Sequence, residues 1–171
     1  ILSATLLVFL IQICIKRSVL YSRIIAFTGI LGSFFSSFIV YLPTTETVTH
    51  LFLVSPMVHF FSAICLLVGF TLVLLNRNYA QGSQLVQDEF YFLVISTLFG
   101  ALILIAANHI VSVFLGLEIM SLSLVGMLAY FSHRKPSLEA SMKYLLLSGA
   151  ASSTFLFGTA LAFAATGSLS L

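Results

Sequence analysis

Six apolar segments, separated by short polar connections, run along the chain. Five of them are long enough to cross a hydrocarbon core of about 30 Å as an α-helix, at about 1.5 Å per residue. The first is shorter, and its charges follow the apolar residues instead of preceding them, which is not the pattern of a signal peptide. We therefore predict six membrane-spanning helices, at about residues 1–15, 24–42, 51–75, 90–107, 110–131 and 138–165.

The basic residues of the connections alternate along the chain. Lysines and arginines lie in the first, third and fifth connections, whereas the second and fourth contain neither. Because basic loops favour the cytoplasmic or matrix side of a membrane, both chain ends are expected on the opposite, periplasmic or intermembrane, side. The alternation also supports the prediction of six spans. The basic residues concerned are Lys16, Arg17, Arg23, Arg77, Arg134 and Lys135.

Two connections predict local structure. Asn108 and His109 form a short turn between the fourth and fifth segments, so these two helices should be antiparallel neighbours. Pro136 and Ser137 precede the sixth segment, and the hydroxyl of Ser137 is a suitable N-cap for that helix. The sixth segment also has small residues at four-residue spacing, Gly149 with Ser153 and Gly158 with Ala162. This spacing lets helix backbones approach closely, so we expect the sixth helix to lie inside a bundle.

The composition excludes an ordinary soluble domain. Of the 171 residues, 60% are hydrophobic and 7% are charged, whereas a soluble domain has about 25% charged residues. The net charge of +2 is small and scattered, so nucleic-acid binding is not expected. Cys14 and Cys65 lie in apolar segments without a CxxC pattern and should be packing residues. The sequence thus predicts an all-α, polytopic transmembrane helix bundle without a metal site.

Glu118 is an acidic residue deep inside an apolar segment. It lies eight residues into the fifth segment, so about 12 Å from one end of that helix and about 20 Å from the other. A carboxylate at such a depth costs at least about 2.5 kcal/mol on insertion scales. Its side chain is too short to reach the membrane surface, so it should face the bundle interior or a wet cavity. We favour a role as a proton relay or in an ion path, with a structural carboxylate satisfied by a neighbouring helix as the alternative.

Lys143 and His59 are weaker candidates for a proton path. Lys143 follows Glu139 by four residues, the favourable order for an ion pair on one helix, so a local structural role is as well supported as a proton-path role. It could also extend toward the basic side of the membrane. His59 could relay protons, but a hydrogen-bonded core histidine is the simpler interpretation. The sequence contains no nucleotide, flavin, haem or iron–sulfur motif, so no cofactor is expected on this chain.

Three blocks of sequence together resemble a known family. They run from Asp88 to His109, from Phe114 to Leu122 (FLGLEIMSL) and from Ser137 to Ser153 (SLEASMKYLLLSGAASS). In this order they resemble the N-type antiporter-like membrane subunit of NADH:quinone oxidoreductase (respiratory complex I, NADH dehydrogenase subunit 2). The likeness is dense over about residues 88–167 and weak over 1–87.

The resemblance implies a fold and a role for Glu118. Members of this family have about fourteen helices, including two inverted repeats that each contain a broken helix and form a proton half-channel. Residues 1–87 would then be three N-terminal helices and a loop, and residues 88–171 the first three helices of the first repeat. In the family, the glutamate that matches Glu118 pairs with a lysine on the seventh helix. The lysine that matches Lys143 is a secondary candidate in the same charged region.

The resemblance also implies partners. NADH, FMN, iron–sulfur clusters and quinone would be bound by other subunits, and proton translocation would be coupled to quinone reduction there. The expected partners are other membrane-arm subunits, the lipid bilayer and the remainder of the same subunit from the seventh helix onward. The chain is therefore expected to be a fragment or the first piece of a split subunit, in the bacterial plasma membrane or, alternatively, the mitochondrial inner membrane. A non-catalytic assembly or scaffold bundle and a related multisubunit cation/proton antiporter are the alternative functions.

Overall fold

Four helices and a short hairpin make up the part of the chain that the structure describes. The structure, a computed structural model, describes residues 29–32, 46–75, 84–130 and 135–170. Strands β1 (Glu46–Thr49) and β2 (Phe52–Val54) pair antiparallel. The helices are α1 (Pro56–Leu75), α2 (Gln84–Ile105), α3 (Ile110–Ala129) and α4 (Lys135–Thr166). Each helix packs against the next in sequence, and the α2–α3 contact is the most extensive.

The helical membrane architecture is confirmed in its coarse form. Among the described residues, α1, α3 and α4 are long and apolar enough to cross a membrane, and Phe90–Ile105 of α2 form a shorter apolar helix. The predicted spans 1–15 and 24–42 lie outside the described residues, apart from the helical residues 29–32. The count of six spans, the fourteen-helix fold and the division at residues 87 and 88 stay predictions.

The hairpin corrects the all-α prediction. The predicted third span began at about residue 51, whereas Phe52–Val54 form β2 and α1 begins at Pro56. The backbone N–H of Val58 donates to the Ser55 hydroxyl at 3.3 Å, so Ser55 caps this helix, and Pro56 suits the first helical position because it has no N–H to leave unsatisfied. The sequence predicts a helix for the short apolar run before Ser55 because hydrophobicity alone does not separate a short apolar strand from a helix.

The connection between α3 and α4 differs from the predicted cap. Helix α4 already begins at Lys135, so Ser137 lies inside its first turn. The Ser137 hydroxyl donates to the backbone carbonyl of Leu128, in the last turn of α3. This side chain therefore joins the ends of two helices and does not cap one of them.

A backbone network joins the hairpin to three helix ends at the other end of the bundle. The hairpin bonds to the residues between α2 and α3, and the first residue of α3 bonds to the segment that follows α4. The bonds run from Leu53 N to Ala106 O, from Asn108 N to Leu51 O and from Ile110 N to Leu169 O, at 2.9–3.0 Å. These bonds hold together the end of α2, the start of α3 and the end of α4. They also pair backbone groups that would be unpaired at isolated helix ends.

Ser112 extends this network with a side chain. Ser112 is 1% exposed, and its hydroxyl donates to the Leu51 carbonyl at 3.0 Å. We expect Ser112→Ala to lower the free energy of unfolding by about 1 kcal/mol, the usual net value of one hydrogen bond. Thermal unfolding of the membrane-embedded protein measures it. Ser153→Ala is the control because the Ser153 hydroxyl bonds to Gly149 in its own helix, and equal losses in both variants would contradict the prediction.

Candidate functional site

The backbones of helices α2 and α3 lie close together at two glycines. A Cβ added to Gly100 would lie 2.9 Å from the backbone N of Met120 and 3.0 Å from the carbonyl O of Gly116. A Cβ added to Gly116 would lie 3.0 Å from the carbonyl O of Gly100 and from the backbone N of Leu104. Both positions are too close for a side chain. The two backbones therefore touch directly, as small residues permit between membrane helices.

A pair of serines fixes the register of the same two helices. The hydroxyls of Ser96 on α2 and Ser123 on α3 are hydrogen-bonded, with 2.8 Å between their oxygens. Ser123 is buried, and its oxygen is also 2.7 Å from the carbonyl O of Ile119. Polar side chains in an apolar interface favour the one register that lets them pair. Together with the glycines, these serines set the rotation of α3 about its axis.

That rotation turns Glu118 away from α2 and toward α4. Successive residues of an α-helix are about 100° apart, so Glu118 lies about 200° around α3 from Gly116. On that side the hydroxyl of Ser152 donates a hydrogen bond to Oε1 of Glu118. One turn earlier in α3, the ring of Phe114 stacks on that of Phe155, with centroids 6.3 Å apart and planes 9° from parallel. The carboxylate thus lies within the α3–α4 interface, as its depth in the membrane predicted.

A groove of about 560 Å³ lies between α3 and α4 beside this hydrogen bond. Its walls are mostly apolar, but four hydroxyl groups line it. Three of them follow at four-residue intervals along one face of α4, and the fourth lies on α3: Tyr144, Ser148, Ser152 and Ser121. Since one water occupies about 30 Å³ in the liquid, the groove is large enough for several. Glu118 is not among the residues that line the groove, but Ser152, which lines it, donates to the Glu118 carboxylate.

Lys143 lies away from Glu118. Its ammonium group is 2.5 Å from the carboxylate of Glu139, and the two side chains are 70% and 66% exposed within this chain. Lys143 precedes Ser152 by nine residues, about 13 Å of helix rise. The structure therefore brings Lys143 to Glu139, as the Glu-to-Lys spacing favours, and not to Glu118. Its role in a proton path stays a prediction.

His59 is on a different interface. It lies in the first turn of α1, where its backbone N–H donates to the carbonyl of Ser55 at 3.1 Å. Helix α1 packs against α2, whereas Glu118 faces α4. The structure does not bring His59 to Glu118, and the relay role of His59 stays a prediction. Cys65 packs against the α1–α2 core, and the described part of the chain has no group of three His, Cys, Asp or Glu residues that could hold a metal.

Sequence reasoning missed Ser152 and the pair of glycines. The signal for the glycines was present, because Ser96 precedes Gly100 and Ser112 precedes Gly116 at the spacing that was used for the sixth segment. On α4, in contrast, a Cβ added to Gly149 or Gly158 would have nothing within 4 Å. Among the glycines that the structure describes, those in direct backbone contact with another helix are on α2 and α3, whereas Gly69 of α1 packs against the side chain of Leu98 on α2. No sequence signal distinguished Ser152 from the neighbouring serines.

Comparison with known proteins finds a family that matches the segment containing this site. Residues 107–171, which include Glu118, Lys143 and Ser152, match the family described as NADH:quinone oxidoreductase/Mrp antiporter, TM. A chain of respiratory complex I from Thermus thermophilus, with bound aureothin, is similar with a TM-score of 0.86 and 24% identity. A chain of the membrane-bound sulfane sulfur reductase, an archaeal respiratory membrane complex, has a TM-score of 0.70 and 24% identity.

The two structural matches cover nearly all of this chain but only part of each solved chain. They include 99% of this chain but 38% and 36% of the two solved chains. This chain therefore spans less than two fifths of the length of the structures that it matches. The structural similarity shows the fold, and the sequence match covers the segment that contains Glu118. Residues 107–171 thus match the family described as NADH:quinone oxidoreductase/Mrp antiporter, TM, and the chain as a whole shares its fold with these two membrane chains.

Proposed function

We propose that this chain is part of a proton-translocating membrane-arm subunit of NADH:quinone oxidoreductase and that Glu118 carries protons in it. The observation that supports this most is the position of the Glu118 carboxylate, in the α3–α4 interface beside a groove with four hydroxyl groups. Between residues 90 and 130, the only other residue with an acidic or basic side chain is His109, at the start of α3. An ionisable group at such a depth is most often functional.

The proposed mechanism uses the carboxylate as a relay. Glu118 takes up a proton through water in the groove and releases it when its electrostatic environment changes. A lysine from a helix outside this chain supplies that change by moving closer to the carboxylate or away from it, because a nearby positive charge stabilises the ionised form. Quinone reduction in other subunits drives the motion. NADH, FMN, iron–sulfur clusters and quinone are bound in those subunits, and this chain binds none of them.

The proposed partners follow from the same assignment. The chain contacts the remainder of its own subunit, other membrane-arm subunits and lipid. Its location is the bacterial plasma membrane, with the mitochondrial inner membrane as the alternative, and both ends of the chain face the periplasmic or intermembrane side. A multisubunit cation/proton antiporter is a second candidate function, since the description of the matching family also names the Mrp antiporter.

The test is Glu118→Gln in the assembled complex, with proton translocation measured beside quinone reduction. Glutamine keeps the shape and most hydrogen bonds of the side chain but does not exchange protons at neutral pH. We expect proton translocation to fall at least about a hundredfold, the low end for loss of a proton-transfer group. Glu139→Gln is the matched control because this carboxylate forms an exposed ion pair, which contributes little.

The other outcomes separate the alternatives. Unchanged proton translocation in Glu118→Gln would make Glu118 a structural carboxylate and contradict the proposal. A complex that fails to assemble, with no selective loss of coupling in what remains, would support the scaffold function instead. Loss of cation/proton exchange from a complex without quinone reductase activity would support the antiporter function.

A further inference from the structure

We propose that Ser152 is a positioning residue for Glu118. It holds one carboxylate oxygen of Glu118 so that the other oxygen exchanges the proton. The functional consequence rests on the proposed role of Glu118, whereas the positioning contact does not. Ser152 keeps its own proton throughout and acts only as a hydrogen-bond donor to Oε1 of Glu118. With Oε1 occupied in this way, proton uptake and release take place at the second oxygen.

The hydroxyl of Ser152 donates to a different kind of acceptor from the hydroxyls of the neighbouring residues. Hydroxyl groups in membrane helices commonly bond to the carbonyl four residues earlier, which satisfies them locally. Ser153 donates to Gly149 in this way, and Thr154 donates to Ala150. The same local bond is open to any helical serine through a rotation about χ1. Ser152 instead donates across the interface to a carboxylate, which forms a stronger bond than a neutral carbonyl does.

The helix packing holds donor and acceptor at a defined position. Phe114 and Phe155 stack one turn away from the hydrogen bond and fix the level of α3 against α4. On the opposite side of α3, the contact of Gly116 with α2 prevents rotation of the helix. A glutamate has three rotatable side-chain bonds, so a free carboxylate would sample several positions. The Ser152 bond selects one of them without adding a charge.

No charged group on the packed helices takes the place of Ser152. Residues 90–105 of α2 contain no acidic, basic or histidine side chain. On α4, Lys143 is paired with Glu139, about 13 Å of helix rise from Ser152. Tyr144 lies in the groove two turns from Ser152. Among the described residues, Ser152 is therefore the side chain that is placed to orient the carboxylate.

The test compares Ser152→Ala, Ser152→Thr and the control Ser153→Ala in the assembled complex. The first readout is the infrared carboxyl band of Glu118, which is assigned by its loss in Glu118→Gln. Loss of the donor strengthens the C=O bond, so we expect Ser152→Ala to move this band to higher frequency. Threonine keeps the hydroxyl and should leave the band in place. Ser153→Ala should not move it, because the Ser153 hydroxyl bonds within its own helix.

The second readout is proton translocation relative to quinone reduction. We expect Ser152→Ala to lower it about tenfold, as the loss of one hydrogen bond to a charged group predicts, and Ser152→Thr to restore it. An unmoved band in Ser152→Ala would overturn the proposal, as would an equal shift in Ser153→Ala. If Glu118→Gln leaves translocation unchanged while Ser152→Ala still moves the band, the positioning contact is supported and the proposed function fails. The two failures are thus distinguishable.

Discussion

Replacement of Gly100 by alanine is expected to destabilise the protein by about 2 kcal/mol, the usual cost of overpacking, although alanine is the better helix former. The new Cβ would lie 2.9 Å from the backbone N of Met120 and 3.0 Å from the carbonyl of Gly116. Neither backbone atom can rotate away, so α2 and α3 must separate. Since Glu118 follows Gly116 by two residues, the separation would also shift its carboxylate relative to Ser152. Thermal unfolding and proton translocation of the assembled complex measure both effects.

Gly149→Ala is the matched control for this substitution. A Cβ at Gly149 has nothing within 4 Å among the described residues, and alanine gains about 1 kcal/mol in helix propensity over glycine. We expect this variant to be neutral or slightly more stable. If Gly100→Ala were as stable as Gly149→Ala, the direct backbone contact between α2 and α3 would be wrong.

Leu66→Ala is expected to destabilise the α1–α2 interface by about 2 kcal/mol. The side chain is 0% exposed and lies in a cluster with Ile30, Val73, Tyr91 and others. Leucine-to-alanine changes in protein cores cost about 2–5 kcal/mol through lost transfer energy and the cavity that remains. In a membrane, separated helices are solvated by lipid tails, so the transfer term is small and we expect the low end of that range. The midpoint of thermal unfolding measures the loss.

The adjacent residue provides the control for this cavity. Leu67 is on the same helix and has the same side chain, but it is 51% exposed within this chain. Leu67→Ala removes the same atoms from a position that can be filled by lipid, so its effect should be less than about 0.5 kcal/mol. A larger loss in Leu67→Ala than in Leu66→Ala would mean that α1 has a different face toward α2.

Sequence alone predicted the helical membrane class and the short turn that makes α2 and α3 antiparallel neighbours. These features follow from apolar length and local composition, since every backbone group in a bilayer must be paired within a helix or a closed barrel. The depth of Glu118 predicted that its carboxylate faces the bundle interior or a wet cavity, and in the structure it contacts Ser152 on α4. This prediction depends only on the position of the residue in its own segment, because a buried charge requires a polar partner on whichever side of the helix it lies.

The resemblance in sequence, carried by three blocks between Asp88 and Ser153, predicted the family that residues 107–171 match. It did not predict the hairpin of β1 and β2. That strand pair depends on backbone bonds to residues 106–108, which are about fifty residues further along the chain. A short apolar run takes up a strand or a helix according to the partner that it meets, and the partner is not encoded nearby.

Sequence by itself determined that this chain forms apolar helices and that one of them carries a carboxylate that must face a neighbour. Only the tertiary structure decided which neighbour. The same small-residue spacing occurs on α2, α3 and α4, yet the close approach among the described residues is at Gly100 and Gly116, and it turns Glu118 toward Ser152. Whether a segment forms an apolar helix depends on the hydrophobicity of its own residues. The rotation and register of that helix are set by contacts with residues far away in sequence.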